Sequence, residues 1–232
     1  MDFTTMRVIA RIHSDFSSKF GIPRQSGLVD SLRATIVFEP EFRSADALRG
    51  IEGYSHLWLI WQFSECVSEN GTWSPTVRPP RLGGNKRVGV FATRAPYRPN
   101  PIGLSSVKLE QVDLHTPDGP VLVVSGADLM DGTPIYDIKP YLAYVDSHPD
   151  AKDGFALAQK EGVLSVDCPD ELLDRLPAEK RQALIDLLAQ DPRPQYQKDP
   201  RRVYQFEFAG MHVEFTVDED RLTVCSVDPS KK

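Results

Sequence analysis

Alternating apolar and polar residues dominate the first two-thirds of the chain. In MRVIARIHS (6–14), Val8 and Ile12 stand against Arg7, Arg11 and His13, the period of a half-buried strand. ATIVFEP (34–40) predicts a second strand, ended by Pro40. SADALRGIEGYS (44–55) predicts a short helix with Ser44 as N-cap and an end weakened by Gly50 and Gly53. HLWLIWQFSE (56–65) is almost continuously apolar, as expected of a central strand buried on both faces. VGVFATR (88–94) predicts a further strand. SSVKLEQVDLH (105–115) alternates through Val107, Leu109, Val112 and Leu114, with one slip that marks a bulge. PVLVVSGADL (120–129) follows the turn sequence PDG.

These strands succeed one another with loops between them. Without a helix after each strand, the order predicts an antiparallel sheet or barrel, not a doubly wound parallel sheet. No GxGxxG opens a helix after a strand, so the dinucleotide fingerprint is missing. The pattern changes after Tyr144. VDSHPDAKDGF is polar and turn-rich and predicts a linker. Residues 169–192 predict helix: Leu172, Leu173 and Leu176 before Pro177, then Leu184, Ile185, Leu187 and Leu188 up to Pro192. RVYQFEFAGMHVEFTVDEDRLTVCSVD then predicts two or three hairpin strands turning at AGM. The fold class is mainly β: a barrel domain over 1–145 and a small α+β domain over 155–232.

Composition narrows this picture. With 232 residues, 41% of them hydrophobic, the chain can bury a substantial core. It holds no run of apolar residues long enough to span a membrane, and MDFTTMRVIARIHSDF lacks the pattern of a secretory leader. The expected location is the cytoplasm. Cys66, Cys168 and Cys225 are far apart and form no CxxC pair, which argues against disulfides and a zinc site.

The net charge of −6 argues against a nucleic-acid partner, but its distribution points the other way. No acidic residue occurs between Glu69 and Glu110, while Arg78, Arg81, Lys86, Arg87, Arg94, Arg98 and Lys108 do. A segregated basic segment can be a footprint for phosphate, or simply a solvated face balanced by acids elsewhere. The same stretch holds prolines at 75, 79, 80, 96, 99 and 101, with Gly83 and Gly84. Such loops are stiff, irregular and rich in donors, which suits a site; they equally suit plain connectors between barrel strands.

The motifs PRLGGN, VGVFATR and YRPNPIGLS, in this order, resemble the hallmark block of the TrmO/TsaA-like family. PRQSGL (23–28), GIEGYSHLWLIW (50–61), RPPRLGGN (78–85), DLMDGTPIYDIKPYL (128–142) and AQDPRPQYQ (189–197) extend the resemblance over nearly the whole chain. Residues 145–188 carry no matching motif. The resemblance implies a compact β-barrel that binds S-adenosylmethionine without a Rossmann crevice. It also implies a homodimer with cofactor sites near the subunit interface. The reaction it implies is methyl transfer to N6 of threonylcarbamoyladenosine at position 37 of threonine tRNA.

Methyl transfer from a sulfonium is an in-line displacement, so placement of the reactants supplies much of the rate. A dry, partly aromatic pocket suits the departing positive charge, and a carboxylate or water chain would take the proton from nitrogen. No metal is required, and no His/Cys/Asp set has ligand spacing. Matching the family's motifs implies cofactor contacts from Gln25, Ser26, Gly27, Phe63, Ser64, Glu65, Arg94, Leu104, Asp128, Leu129 and Asp131. Within these, Glu65 suits ribose hydroxyls, Arg94 the methionine carboxylate, and Asp128, Leu129 and Asp131 the adenine or amino group. Turn chemistry is the other reading of Asp131, which precedes Gly132. Arg78, Arg81, Asn85, Arg98, Asn100 and Lys139 are the tRNA candidates. Tyr136 or Tyr141 suits stacking on the splayed purine, Asp137 suits the proton acceptor, and His56 reads as structural. Two other classes stay open: a non-catalytic RNA-binding barrel, and a methyltransferase for another substrate on this fold. Titration with the cofactor separates the first from the enzymes.

Overall fold

The inward positions of six strands are all apolar or small, and those strands close on themselves. The computed structural model of the protein describes residues 5–66, 73–79, 82, 85–155, 163–193 and 199–230. Strands β1 (Ala10–His13), β2 (Arg33–Phe38) and β3 (His56–Gln62) come first. The two-residue strands β4 (Thr76–Val77) and β5 (Val88–Gly89) pair with each other. Strands β6 (Ile102–Thr116), β7 (Gly119–Ser125) and β8 (Pro134–Pro140) complete a closed barrel of order β1-β2-β7-β6-β3-β8, antiparallel at every step. Ala10, Ile12, Ile36, Leu57, Leu59, Val107, Leu122, Val124 and Ile135 fill its interior. Closure leaves no sheet edge to protect.

Several expectations change on contact with this barrel. The first strand is confined to Ala10–His13. Residues 44–55 form two 3₁₀ turns, Ala45–Leu48 and Ile51–Gly53, and not one helix. Gly50 separates them at φ 88°, a left-handed conformation that ends a helix, and Ser44 makes no side-chain cap. VGVFATR contributes only Val88–Gly89 to a strand before a 3₁₀ turn at Val90–Ala92. β3 is not buried on both faces. Leu57, Leu59 and Trp61 point inward, while Trp58 on the outer face is only partly covered, by Tyr141 at a ring distance of 5.4 Å. PIYDIKP, which no strand pattern announced, is the strand that closes the barrel between β1 and β3.

A one-turn helix, α1 (Ala143–Asp146), runs across the start of the stretch read as a linker. The C-terminal unit comprises β9 (Ser165–Asp167), α2 (Asp170–Leu173), α3 (Ala178–Ala189), β10 (Tyr204–Phe208), β11 (Met211–Asp218) and β12 (Arg221–Pro229). Its sheet order is β10-β11-β12-β9, with β9 parallel to β12. The AGM turn joins β10 to β11 with Ala209 and Gly210 at φ 51° and 75°, the left-handed pair that a two-residue hairpin requires. α3 buries Ala183, Leu184, Leu187 and Leu188, a stripe on one helical face, in a core shared with Phe206, Phe208, Phe215 and Val224.

The segment between β1 and β2 joins the two units. Phe16, Val29 and Leu32 belong to the C-terminal core and not to that of the barrel. Lys180 pairs with Asp15 at 2.6 Å, Ser31 donates to Asp186 at 2.5 Å, and Ala209 N–H donates to the Asp15 carbonyl at 2.9 Å. Gly21, at φ 83°, has the Phe206 ring 2.3 Å from where a β-carbon would stand, so only glycine lets the chain pass.

The slip read in β6 is a bulge: register with β7 shifts between Leu109 and Gln111. The extra residue, Glu110, ties three strands together. Its carboxylate accepts the Ser125 hydroxyl of β7 at 2.7 Å and pairs with Arg33 of β2 at 2.9 Å and Lys108 of β6 at 3.1 Å. The Ser125 hydroxyl, with Arg33 and Lys108, outweighs the cost of burial and brings its pKa down to about 2. A folded-state pKa below the unfolded one means the stabilisation is present above the ordinary carboxylate range and is lost as pH falls toward 2. We expect Glu110→Gln to cost about 1–2 kcal/mol at neutral pH, reduced because both cations are half-exposed. The gap from wild type should close between about pH 4.5 and 2, as followed by urea unfolding across that range.

Candidate functional site

At one end of the barrel, the ends of β3 and β6 and three loops enclose a cavity of about 890 Å³. Its size lies within the range of small-molecule sites. The loop before β2 contributes Gln25 and Ser26, the end of β3 contributes Trp61 through Glu65, the proline-rich loop contributes Thr93, Arg94, Arg98 and Asn100, and Asp128 follows β7. Two local features shape it. Gly103 of β6 has Trp61 ring atoms 2.2 Å from the place of a β-carbon, so a side chain there would expel the indole. Trp61 and Phe63 lie with ring centroids 4.3 Å apart and form an aromatic wall.

The polar groups converge on Asp128. Trp61 Nε1 donates to Ser105 Oγ at 2.9 Å, and Ser105 donates to Asp128 Oδ1 at 2.5 Å. Burial pushes the Asp128 carboxyl above its ordinary value, opposed by Ser105, by the backbone N–H groups of Asp128 and Ser26, and by the Arg94 charge. Arg94 is exposed and donates to the Gln25 side chain. Lys19 stands 4.0 Å from Glu65 across the mouth. Arg98 donates to the carbonyls of Thr93 and Ala95 at 2.9 and 3.3 Å, fixing the shape of its own loop.

The cavity thus gathers Gln25, Ser26, Phe63, Ser64, Glu65, Arg94, Leu104 and Asp128 from the cofactor set, with Arg98 and Asn100 from the tRNA set. Gly27 stands just outside, its N–H donating to the Gly126 carbonyl at 2.9 Å. The Leu129 side chain is 1% exposed and sits in the barrel core. Asp131 lies apart, 3.3 Å from His13 and accepting the Ser14 N–H at 3.1 Å. Arg78 and Asn85 are exposed in the segment around β4 and β5, and Arg81 lies outside the described residues.

Along the outer face of β3, register sets Lys139 opposite Trp58 and Asp137 opposite Ile60. Trp58 and Gln62 of that face line the cavity, so this row borders it. Asp137 pairs with Lys139 at 2.8 Å, and Tyr136 donates to Gln62, its hydroxyl pKa raised by burial. Tyr141 packs on Trp58, whose Nε1 donates to Asp146 at 3.1 Å; His56 accompanies it with rings 6.2 Å apart.

Sequence reasoning missed Trp58, Trp61, Gln62, Thr93 and Ser105. One signal for Ser105 was available. Gly103, Ser105 and Val107 share the inward period of β6, and a hydroxyl facing a barrel core must find a partner.

Residues 11–147 match the N-terminal domain of tRNA-methyltransferase O, and residues 163–230 match the C-terminal domain of TrmO. The chain is 41% identical over 229 residues to the tRNA (adenine(37)-N6)-methyltransferase of Escherichia coli K12, covering 95% of this chain and 96% of that one. A Pseudomonas aeruginosa protein provisionally named an S-adenosylmethionine-dependent methyltransferase is 43% identical over 204 residues, 84% of this chain and 85% of that one. The crystal structure of TrmO from Pseudomonas aeruginosa superposes with a TM-score of 0.78 at 34% identity, covering 99% of both chains.

Proposed function

Because this chain belongs to the tRNA-methyltransferase O family, we propose that it transfers the methyl group of S-adenosylmethionine to N6 of adenine 37 in tRNA. The substrate is the adenine already carrying a threonylcarbamoyl group, in threonine tRNA, and the reaction takes place in the cytoplasm. The observation that carries the reading is the cavity at the barrel end, where an arginine, a half-buried carboxylate and an aromatic wall converge. In the division of labour proposed, residues 1–145 bind the cofactor and residues 155–232 form a supporting α+β domain.

The donor set fits this cofactor. Arg94 receives its carboxylate, Asp128 an N–H donor, and Glu65 the ribose hydroxyls, with Gln25, Ser26, Gly27 and Ser64 supplying further polar contact. Phe63, beside Trp61, and Leu104 offer apolar surface to a sulfonium, which an aromatic face attracts. Leu129 and Asp131 act through the chain around Asp128: one anchors it in the core and the other ties it to the Ser14 N–H beyond β1. The bound cofactor supplies an electrophilic methyl group. The protein's part is to hold donor and acceptor in line and keep water out.

The acceptor base enters from the side of Trp58 and Gln62. Tyr136 keeps its proton and orients Gln62, and Asp137, beside Lys139, takes the proton from N6. Arg78, Arg81, Asn85, Arg98, Asn100 and Lys139 make up the tRNA surface. No group of His, Cys, Asp or Glu among the described residues is arranged to hold a metal, and the proposed route uses none. Leu104, 57% exposed on the cavity lining, and Phe91 and Tyr97, 72% and 64% exposed between β5 and β6, support a homodimer that covers them.

Calorimetry on Arg94→Ala tests the cofactor site. Loss of a charge-assisted partner should weaken S-adenosylmethionine binding roughly 10- to 150-fold with the fold intact, and unchanged affinity would remove Arg94 from the site. Light scattering should give twice the 26.0 kDa chain mass at micromolar concentration; a monomer would contradict the assembly. Radiolabelled methyl transfer to anticodon-loop RNA, with and without the threonylcarbamoyl group, tests the reaction itself. Turnover should require the modified base, because a pocket built for that group leaves polar partners unpaired without it. Arg78→Ala should raise KM for RNA more than for the cofactor and flatten the salt dependence by about one unit of slope. Equal turnover of unmodified RNA would sink the specificity.

A further inference from the structure

Ser105 is 1% exposed and Trp61 6%, yet both are polar and neither is a wall of the barrel alone. An indole N–H can only donate. Trp61 Nε1 therefore occupies an acceptor site of Ser105 Oγ at 2.9 Å, and the serine's single hydrogen goes to Asp128 Oδ1 at 2.5 Å. The direction of this chain is fixed from the core outward. It ends on a carboxylate that lines the cavity and also takes the backbone N–H of Ser26, in the loop before β2 that lies against it. Gly103 completes the arrangement, since a β-carbon there would displace the indole. A barrel interior filled with leucine, isoleucine and valine has no structural need for this chain, and an apolar pair would avoid burying it.

We propose that Trp61 and Ser105 are positioning residues: they lock Asp128 as a hydrogen-bond acceptor aimed at an N–H donor of the bound cofactor. This rests on the reading that the cavity binds S-adenosylmethionine. Both hydroxyl donation and the Ser26 N–H favour the charged carboxylate, and they offset part of what burial costs it. Among the described residues, the charged and titratable groups around the same cavity are Lys19 and Arg24 from the loop before β2, Glu65 and Cys66 after β3, and Arg94 and Arg98 from the proline-rich loop. Of these, Arg94 acts on Asp128 through its charge.

The decisive measurement is the titration of the Asp128 carboxyl carbon by NMR in protein without cofactor. Ser105→Ala should move the midpoint upward by on the order of one pH unit, the value of a lost hydrogen bond to a charged group. Trp61→Phe, which removes the donor together with part of the indole, should move it the same way by less. Ser105→Thr, which keeps the hydroxyl, should return it toward wild type. Calorimetry then follows S-adenosylmethionine affinity against pH. The loss in Ser105→Ala should grow as pH falls and be recovered at high pH, whereas Asp128→Asn should be weak at every pH. Adding Ser105→Ala to Asp128→Asn should change nothing further. An unmoved midpoint in Ser105→Ala would overturn the proposal, as would an equal loss of affinity at all pH values. A midpoint that moves in Ser105→Ala, together with a wild-type protein that binds no S-adenosylmethionine, would keep the locked carboxylate and overturn the cofactor reading instead.

Discussion

The residues between β1 and β2 are held by a core that is not their own, and the candidate site depends on this. Phe16, Val29 and Leu32 pack among the side chains of α3, β10 and β11, while the stretch between them supplies Lys19 and Ile22 through Ser26 to the cavity wall. A loop of this length on a bare barrel would cost substantial entropy to fix. Here the cost is offset by burial of three apolar anchors, by the Lys180–Asp15 and Ser31–Asp186 contacts, and by two hydrogen bonds from Arg24 to the carbonyls of Asp191 and Arg193. The C-terminal unit is thereby part of the machinery that shapes the cavity, although among the described residues no side chain beyond Thr133 lines it.

What the sequence disclosed follows from which forces are local. The strands with clean period-2 alternation, ATIVF and SSVKLEQVDLH, were readable, and so was the β6 bulge, because a slip in alternation is the bulge. α3 and the AGM hairpin were readable from a leucine stripe and a glycine at a tight turn. VGVFATR and PIYDIKP were not. In the first, the chain pairs only through Val88–Gly89 with the two residues of β4 and then turns at Val90–Ala92. In the second, prolines at 134 and 140 bracket a strand that exists because closure gives it partners on both sides. Closure is a property of the whole chain, and no window of ten residues contains it.

The site was legible in a similarly divided way. Residues that meet the cavity through loops, such as Gln25, Arg94 and Asp128, sit in motifs that their chemistry makes conspicuous. Trp61 and Ser105 do not, because their role depends on facing inward next to Gly103, a fact of register. Charge was misleading in sum and informative in distribution. A chain of net charge −6 still keeps an acid-free segment, and part of that segment, from Thr93 to Asn100, borders the cavity.

Period-2 alternation at a strand end has a further consequence for chemistry. Along β3, Trp61 points into the barrel while Trp58 and Gln62 point out, and all three line one cavity because it wraps over the barrel rim. A single strand end thus offers two walls of different character: one aromatic and backed by the core, the other polar and joined to the row of Tyr136, Asp137 and Lys139. In-line methyl transfer needs donor and acceptor on opposite sides of the moving group. A doubly wound sheet meets that need with a crevice between loops at its carboxyl edge. A closed barrel has no such crevice, and its rim, where inward and outward faces of one strand meet, is the place where two reactants can approach from different sides while both are held by the same rigid strand.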